Sequence, residues 1–274
     1  MNVDHQTGKT RHIVSLSGGK DSSALAIYLR DRIPDVEYVF CDTGEELPET
    51  YRYLDKLEAA LQKRIHRLNP DRPFEHHLKL RGGYLPSPRM RWCTRELKLK
   101  PFERFVGDDP VRLYVAIRAD EDREGYISRK PNITSVFPFR ENGITHRDVM
   151  RILHDEGLGL PEYYSWRSRS GCYFCFFQRT IEWLGLLRTH PDLFDRAARF
   201  EHYNSQTGEK YTWADGESLD DLRKPERQRE IEEYHRKMME WAAARPDTSR
   251  SLQDAFEAAI RLQEREEACL ICRL

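Results

Sequence analysis

Net charge is nearly absent from this chain: 45 lysines and arginines stand against 46 aspartates and glutamates in 274 residues. No global field therefore commits it to a polyanion, and any nucleic-acid contact has to come from a local patch. A long apolar run is missing, as is the pattern of a secretory leader, so a soluble, cytoplasmic protein is expected. There is no internal repeat and no low-complexity tract, which excludes a repeat architecture. Six cysteines in a chain of this size do not suggest a secreted disulfide scaffold. In a reducing compartment they read as metal or redox groups.

What is present begins near the N-terminus. The chain is long enough for a substantial core, as one large domain or a domain with an extension. Arg11 to Ser17 contains Ile13, Val14 and Leu16 and reads as a buried strand. Gly18-Gly19 breaks it, and from Asp21 the residues Leu25, Tyr28 and Leu29 recur at helical spacing. A glycine-rich turn between strand and helix points backbone N–H groups outward, where the helix dipole favours negative charge. Lys20 adds a cation, and Ser17, Ser22 and Ser23 add hydroxyl donors. The expected ligand is a phosphate or pyrophosphate; the plain alternative is a βα turn with chance glycines. The spacing is neither that of the nucleotide P-loop nor the dinucleotide fingerprint.

Further along, Val36 to Asp42 reads as a strand with Asp42-Thr43-Gly44 at its end, Pro48 to Leu61 as a helix, and Ile65 to Leu68 as a short strand. Asn69 to Arg95, rich in Pro, Gly and Arg, is expected to be irregular, and Leu97 to Phe105 helical. Val111 to Ile117 is expected as a strand ending in Arg118-Ala-Asp-Glu121, and Val136 to Phe139 as another. Thr145 is expected to cap a helix that stops at Gly157. This alternation means an α/β fold: a doubly wound, mostly parallel sheet with helices on both faces. Ligands of such sheets lie beyond the carboxyl ends of the strands, where Ser17, Asp42 and Arg118 all fall. The expected division is a nucleotide-binding α/β domain over 1–165, then a cysteine loop and a charged helical C-terminal extension over 166–274. Within the latter, Thr180 to Asn204 reads as helical with a break at Pro191, and the stripe Ile231, Tyr234, Met238, Met239 and Trp241 as packing.

A second constellation is sulfur. Arg91-Trp92-Cys93-Thr94 and Gly171-Cys172-Tyr-Phe-Cys175 are far apart in sequence. A Cys-x-x-Cys turn can place two thiolates on one metal, and a third from elsewhere leaves a position open. On a [4Fe–4S] cluster, three thiolates leave one iron free to hold a sulfur. Zinc, a catalytic dithiol carrying a persulfide, and buried core thiols are the other readings. Cys41, inside a strand, reads as core, and Cys269-x-x-Cys272 as a loose tail or a sulfur relay. Arg89, Arg91, Arg95, Lys98 and Lys100 cluster beside Cys93; Arg167 and Arg169 precede Cys172, with Tyr164 and Trp166 alongside. Basic side chains interleaved with aromatics suit a nucleic-acid backbone and an exposed base; contacts to nucleotide phosphates or a sulfate are the alternative.

Ser17-Gly-Gly-Lys-Asp-Ser22 resembles the PP-loop of the ATP pyrophosphatase superfamily, whose fold is adenine nucleotide alpha hydrolase-like. Asp42-Thr-Gly-Glu-Glu-Leu-Pro-Glu-Thr50, Arg91 to Pro101, Ile117 to Arg123 and Arg169 to Cys172 are similar to segments of its phosphoadenosine phosphosulfate (PAPS) reductase-like branch. The resemblance covers about Ile13 to Gln178, roughly two-thirds of the chain. Trp92 stands where the adenylylsulfate (APS) reductases have a further cluster cysteine, and the Glu-Cys-Gly-(Ile/Leu)-His element of genuine reductases is missing. The chain therefore looks most like the DNA phosphorothioation ATP pyrophosphatases of the SspD and DndC type.

That resemblance implies ATP with Mg²⁺, bound by Ser17, Gly18, Gly19, Lys20, Asp21 and Ser22, with Asp42 and Thr43 near the adenosine and Arg118 and Arg123 toward phosphate. It implies Lys20, Asp21, Cys93, Cys172 and Cys175 as catalytic residues, the three cysteines also as ligands of a [4Fe–4S] cluster. ATP would be split to AMP and pyrophosphate to adenylate an acceptor for sulfur. The implied partners are a cysteine desulfurase, nucleic acid (DNA first) and a second copy in a homodimer, with no membrane. A sulfonucleotide reductase, a tRNA-thiolating enzyme and a nucleotide-binding scaffold without turnover are the competing readings.

Overall fold

The structure is a computed structural model that describes residues 9–122, 128, 130–203, 210–214 and 216–243. Arg123, Cys269 and Cys272 lie outside the described residues.

Five parallel strands form the central sheet: β1 (Arg11–Leu16), β2 (Val36–Cys41), β3 (Ile65–Leu68), β4 (Val111–Tyr114) and β5 (Ile133–Val136). Their order is β3-β2-β1-β4-β5, so the chain steps outward from β1 first one way and then the other. The crevice at that reversal, beyond the carboxyl ends of β1 and β4, is where such sheets bind ligands. Register aligns the loop after Leu16 with the end of β2, since Leu16 pairs with Phe40.

Period-two alternation sorts the strand side chains to two faces. Val14, Leu16, Tyr38 and Phe40 pack with α1 (Lys20–Arg30), α2 (Pro48–Leu61) and the later helix His146–Asp155. Ile13, Val39, Leu113 and Ile133 face Phe102 and Val106 of the helix Lys100–Val106. Both faces are covered, as a parallel sheet requires. Thr145 caps the helix beginning at His146 through a reciprocal capping box with Asp148.

Four local expectations fail for identifiable reasons. The stretch expected to be irregular contains α3 (Phe74–Leu80), whose Phe74 and Leu78 point one turn apart into a second core. The strand expected at Val136–Phe139 is instead the end of β5 followed by a one-turn helix, Pro138–Glu141. Pro138 has no N–H for the ladder but suits a helix start. The ladder of β4 stops at Tyr114 rather than Ile117, although the Val115 N–H still donates to the Val136 carbonyl (3.0 Å). The C-terminal apolar stripe does not pack as a whole: Ile231 is buried, but Tyr234 is 68% and Met239 58% exposed.

The second core joins α3 and the Cys93 segment to Tyr163, Tyr173, Phe174, Trp183, Phe194 and Trp213. Phe74 and Phe174 approach to 4.3 Å between ring centroids, and Trp213 stacks on Phe174 at 5.1 Å. Glu45 ties this core to the sheet. Its carbonyl accepts the Tyr173 N–H (2.9 Å), and its carboxylate, 3% exposed, receives Arg196 at 3.0 Å. Burial outweighs Arg196 and lifts the Glu45 carboxyl to about 7. A raised acid favours the folded state below its unfolded pKa, and that contribution is lost as pH rises toward 7. The stability difference between the wild type and Glu45→Gln is therefore expected to move against the wild type between about pH 4.5 and 7, measurable by urea unfolding at the two ends.

Candidate functional site

Beyond β1 the chain turns through Ser17, Gly18 and Gly19 into α1, with Gly19 as N-cap. Gly18 sits at φ +71°, and a Cβ there would lie 2.5 Å from the Thr50 Cγ2 methyl of α2. A Cβ on Gly19 would meet Ser170 Oγ at 2.8 Å. Gly18 is thus required by backbone conformation and close approach, and Gly19 by close approach alone. Gly18→Ala is expected to destabilise the fold by about 1–3 kcal/mol, read as a lowered urea midpoint.

The loop's shape is held internally. The Ser17 N–H donates to Ser22 Oγ (3.1 Å), and the Ser22 and Ser23 hydroxyls donate to the Gly19 carbonyl at 3.1 and 2.9 Å. It is also held from outside: Tyr163 donates to the Gly18 carbonyl (2.8 Å), the Lys20 N–H donates to the Tyr164 hydroxyl (3.2 Å), and Ser170 Oγ donates to Ser17 Oγ (3.1 Å). Tyr164, near the basic residues Arg167 and Arg169 in sequence, packs against this loop, with the Lys20 ammonium 5.0 Å from its ring centroid.

Asp21 is buried between two cations. Arg118 donates to it at 2.8 Å and Lys20 lies at 3.6 Å. Arg118 also reaches Asp120 and Glu121, each at 2.9 Å. Burial opposes its charge, but Asp21 and Glu121 prevail and hold the guanidinium above its ordinary range. Asp21 and Arg118 therefore fix the strand ends of β1 and β4 to one another. Asp42 accepts the Gly44 N–H (2.9 Å) and the Tyr51 hydroxyl (2.8 Å), which holds the turn after β2.

Thr43, expected beside the adenosine, is buried, donates to Glu46 at 3.0 Å and lies 3.3 Å from Cys172 Sγ. Cys93 lies in the short helix Trp92–Thr94, which runs through a π-helical stretch, Arg95–Leu99, into Lys100–Val106. Cys172 and Cys175 face each other across a turn closed by the Cys175 N–H to the Cys172 carbonyl (3.0 Å). Cys93, Cys172, Cys175 and Thr43 line one cavity of about 20 Å³, with apolar walls including Phe174 and Phe176. Segments nearly eighty residues apart in sequence thus bring their cysteines to one cavity. Burial first, then the adjacent Glu46, push the Cys172 thiol well up. Cys41 is a core thiol, likewise pushed up by burial, to about 12.

Lys98 also lines this cavity and is only 5% exposed. Sequence spacing put it in the surface basic cluster; the π-helical stretch carries it inward, and such wide turns recur at functional sites. Trp92 is core, its indole donating to the Tyr84 carbonyl (3.1 Å) and its ring stacked on Phe74. Among the described residues no three His, Cys, Asp or Glu side chains are drawn together to hold a single metal ion. The three thiols share one apolar cavity of about 20 Å³, and thiols on separate segments are the donor type that thiolate-held clusters use.

A sequence profile of the phosphoadenosine phosphosulfate reductase domain matches residues 11–175, which carry the loop, the Asp42 turn and all three of these cysteines. The chain belongs to that family. Its parallel α/β fold is the family's fold, and the family's members are enzymes of sulfur chemistry on nucleotides. Among curated relatives, an uncharacterized protein of Methanocaldococcus jannaschii is 27% identical over 66% of this chain and 45% of its own length. The chain thus spans less than half of that relative. The tRNA-specific 2-thiouridylase of Actinobacillus succinogenes is 29% identical over 45% of this chain and 36% of its own. Among solved structures, a PAPS reductase from Candida auris in its phosphate complex is 17% identical, with a TM-score of 0.48, covering 59% of this chain and 81% of that one.

In this member of the PAPS reductase family the basic patch divides in two. Arg91 and Arg169 converge on the Phe177 ring, at 5.2 and 4.8 Å from its centroid, and Arg169 reaches Cys175 Sγ at 3.6 Å. Arg89 and Arg95 are exposed. Arg167 has to be removed from the surface set. It is 2% exposed and donates to the Gly171 and Cys172 carbonyls at 3.0 and 2.8 Å, so it braces the cysteine turn. Glu182, fully buried, braces the same loop by accepting the Ser168 N–H (2.8 Å) and the Arg179 guanidinium (3.0 Å). Burial opposes its charge, yet Arg179 and Ser168 hold the carboxyl below its ordinary range. No described helix is long and apolar enough to cross a membrane.

Proposed function

We propose that this protein is an ATP pyrophosphatase that adenylates an acceptor for sulfur incorporation, and that the acceptor is the DNA backbone, with a cysteine desulfurase as sulfur donor. One observation carries the reading. The loop bearing Cys172 is hydrogen-bonded to the phosphate loop, through Ser170 and Ser17 at 3.1 Å, while Thr43 joins the end of β2 to Cys172. This contact supports a nucleotide site and a sulfur site lying side by side, as a relay between them needs.

ATP lies with its phosphates on Ser17, Gly18, Gly19, Lys20 and Ser22, and with Mg²⁺ on those phosphates. Asp21 acts through its ion pairs, orienting the loop and Arg118. An acceptor oxygen attacks the α-phosphorus and pyrophosphate leaves with the electron pair, its charge stabilised by Lys20 and the helix N-terminus. The persulfide sulfur delivered by the desulfurase is reduced by a thiol, which is oxidised to a disulfide, and the resulting sulfide-level sulfur forms its bond to the adenylated atom as the bond to AMP breaks. Cys93, Cys172 and Cys175 would hold a [4Fe–4S] cluster, which supplies an open iron for sulfur when bound. Arg91 and Arg169 hold an acceptor phosphate beside this site, as charge-assisted donors suited to phosphate.

A second reading, thiolation of a tRNA base, is favoured by the similarity to the tRNA-specific 2-thiouridylase. Incubation with Mg²⁺-ATP, cysteine, a cysteine desulfurase and either DNA or tRNA, followed by nuclease digestion and mass spectrometry, separates the two. Phosphorothioate-linked dinucleotides support the proposal; thiolated nucleosides from tRNA alone move the acceptor to RNA.

A further inference from the structure

A cleft of about 1230 Å³ opens beside the cysteine cavity and shares two wall residues with it, Pro86 and Phe176. Gln178, three residues beyond Cys175, also lines this cleft. Its side chain is 7% exposed, and neither its amide oxygen nor its amide nitrogen has a hydrogen-bond partner. A buried amide with both ends unpaired is costly and requires an explanation. Nothing in the loop's own bracing uses it: Arg167 and Glu182 satisfy the surrounding backbone without it.

The cleft's charges say what can enter. Its lining carries Glu201, Glu217, Asp220 and Asp221 against Arg89 and Arg179, an acidic excess that disfavours a phosphate backbone inside it. Arg89 is exposed, and Arg91 and Arg169 pack on Phe177, between the lining residues Phe176 and Gln178. Tyr84, 37% exposed, offers a ring edge-on to Tyr211 at 5.0 Å. A strand held by its phosphates at the rim therefore directs an uncharged group inward, and a planar heterocycle suits the aromatic wall.

We infer that this cleft is a base-reading pocket: an unpaired nucleobase of the acceptor strand enters it, and Gln178 recognises the base edge with its paired donor and acceptor. Glutamine amides read bases in this two-point way. The inference rests on the acceptor being nucleic acid and adds that the enzyme selects sequence at the base beside the modified position.

Fluorescence anisotropy with a labelled single-stranded oligonucleotide tests it, varying one position through the four bases and an abasic site. One base is expected to bind about tenfold or more tighter than the abasic strand. Gln178→Leu should abolish that preference while retaining ATP binding, and Tyr84→Ala should weaken all base-bearing strands without changing their ranking. Equal binding of all bases and the abasic strand, or a preference that survives Gln178→Leu, overturns the pocket and leaves the acceptor reading intact. No binding of any strand by the wild type overturns both.

Discussion

Lys20→Ala is expected to lower the rate of AMP and pyrophosphate formation by about 10²–10³-fold while leaving the thermal midpoint nearly unchanged. The expectation follows from where the ammonium sits. Lys20 is the second residue after Gly18, at the first position of α1, with its charge between Asp21 and the Tyr164 ring. Its side chain is 14% exposed, so its field at the phosphates is little weakened by water. Removing one preorganised stabiliser of developing charge costs about 2.7–4 kcal/mol, which gives the quoted range. The fold loses little, because the loop is held by Ser22, Ser23, Tyr163 and Ser170 rather than by this side chain. Product formation can be followed by chromatography of the nucleotides alongside a melting curve. A loss of activity that merely tracked a loss of folded protein would contradict the assignment.

Cys172→Ser has the opposite profile. Sulfur incorporation into the acceptor is expected to fall below detection, while ATP cleavage stays within about twofold, since oxygen is a poor substitute for a thiolate ligand or nucleophile. Cys172 is the cysteine on which the two sites meet: Thr43 lies 3.3 Å from its sulfur, and Ser170, two residues earlier, touches Ser17. Cys93→Ser and Cys175→Ser should behave alike, because all three line one cavity. A spectroscopic readout separates this from a folding defect. Wild type reconstituted anaerobically with iron and sulfide should gain visible absorbance that each variant lacks or shows weakened. A Cys172→Ser protein that still thiolated its acceptor would remove the cysteine site from the mechanism.

The parts of this account legible in the sequence are those fixed locally. A strand, two glycines and a helix start are short-range features, so the loop at Ser17–Ser23 is found where its pattern places it. The exchange of Pro138 from strand to helix is also local physics, with its missing N–H decisive. The burial of Thr43, Lys98 and Arg167 was not legible, because a distant partner, a π-helical turn and nearby carbonyls decide it, and none of these leaves a mark in spacing. Thr43 is buried by a cysteine 129 positions away, and Lys98 is turned inward by a π-helical stretch that no periodicity announces. Arg167 belongs to a basic-looking run, yet the nearby Gly171 and Cys172 carbonyls need its donors. Gln178 belongs to no motif; only its unpaired amide in a cleft wall marks it.

The most direct test of the central claim is product analysis of the anaerobically purified protein. Mg²⁺-ATP with DNA, a cysteine desulfurase, cysteine and a thiol reductant is supplied in one reaction, and PAPS or APS with a thiol reductant in another. The account predicts AMP and pyrophosphate from the first, slowed about 10²–10³-fold by Lys20→Ala, and no sulfite from the second. Sulfite without pyrophosphate would contradict it and make the protein a sulfonucleotide reductase.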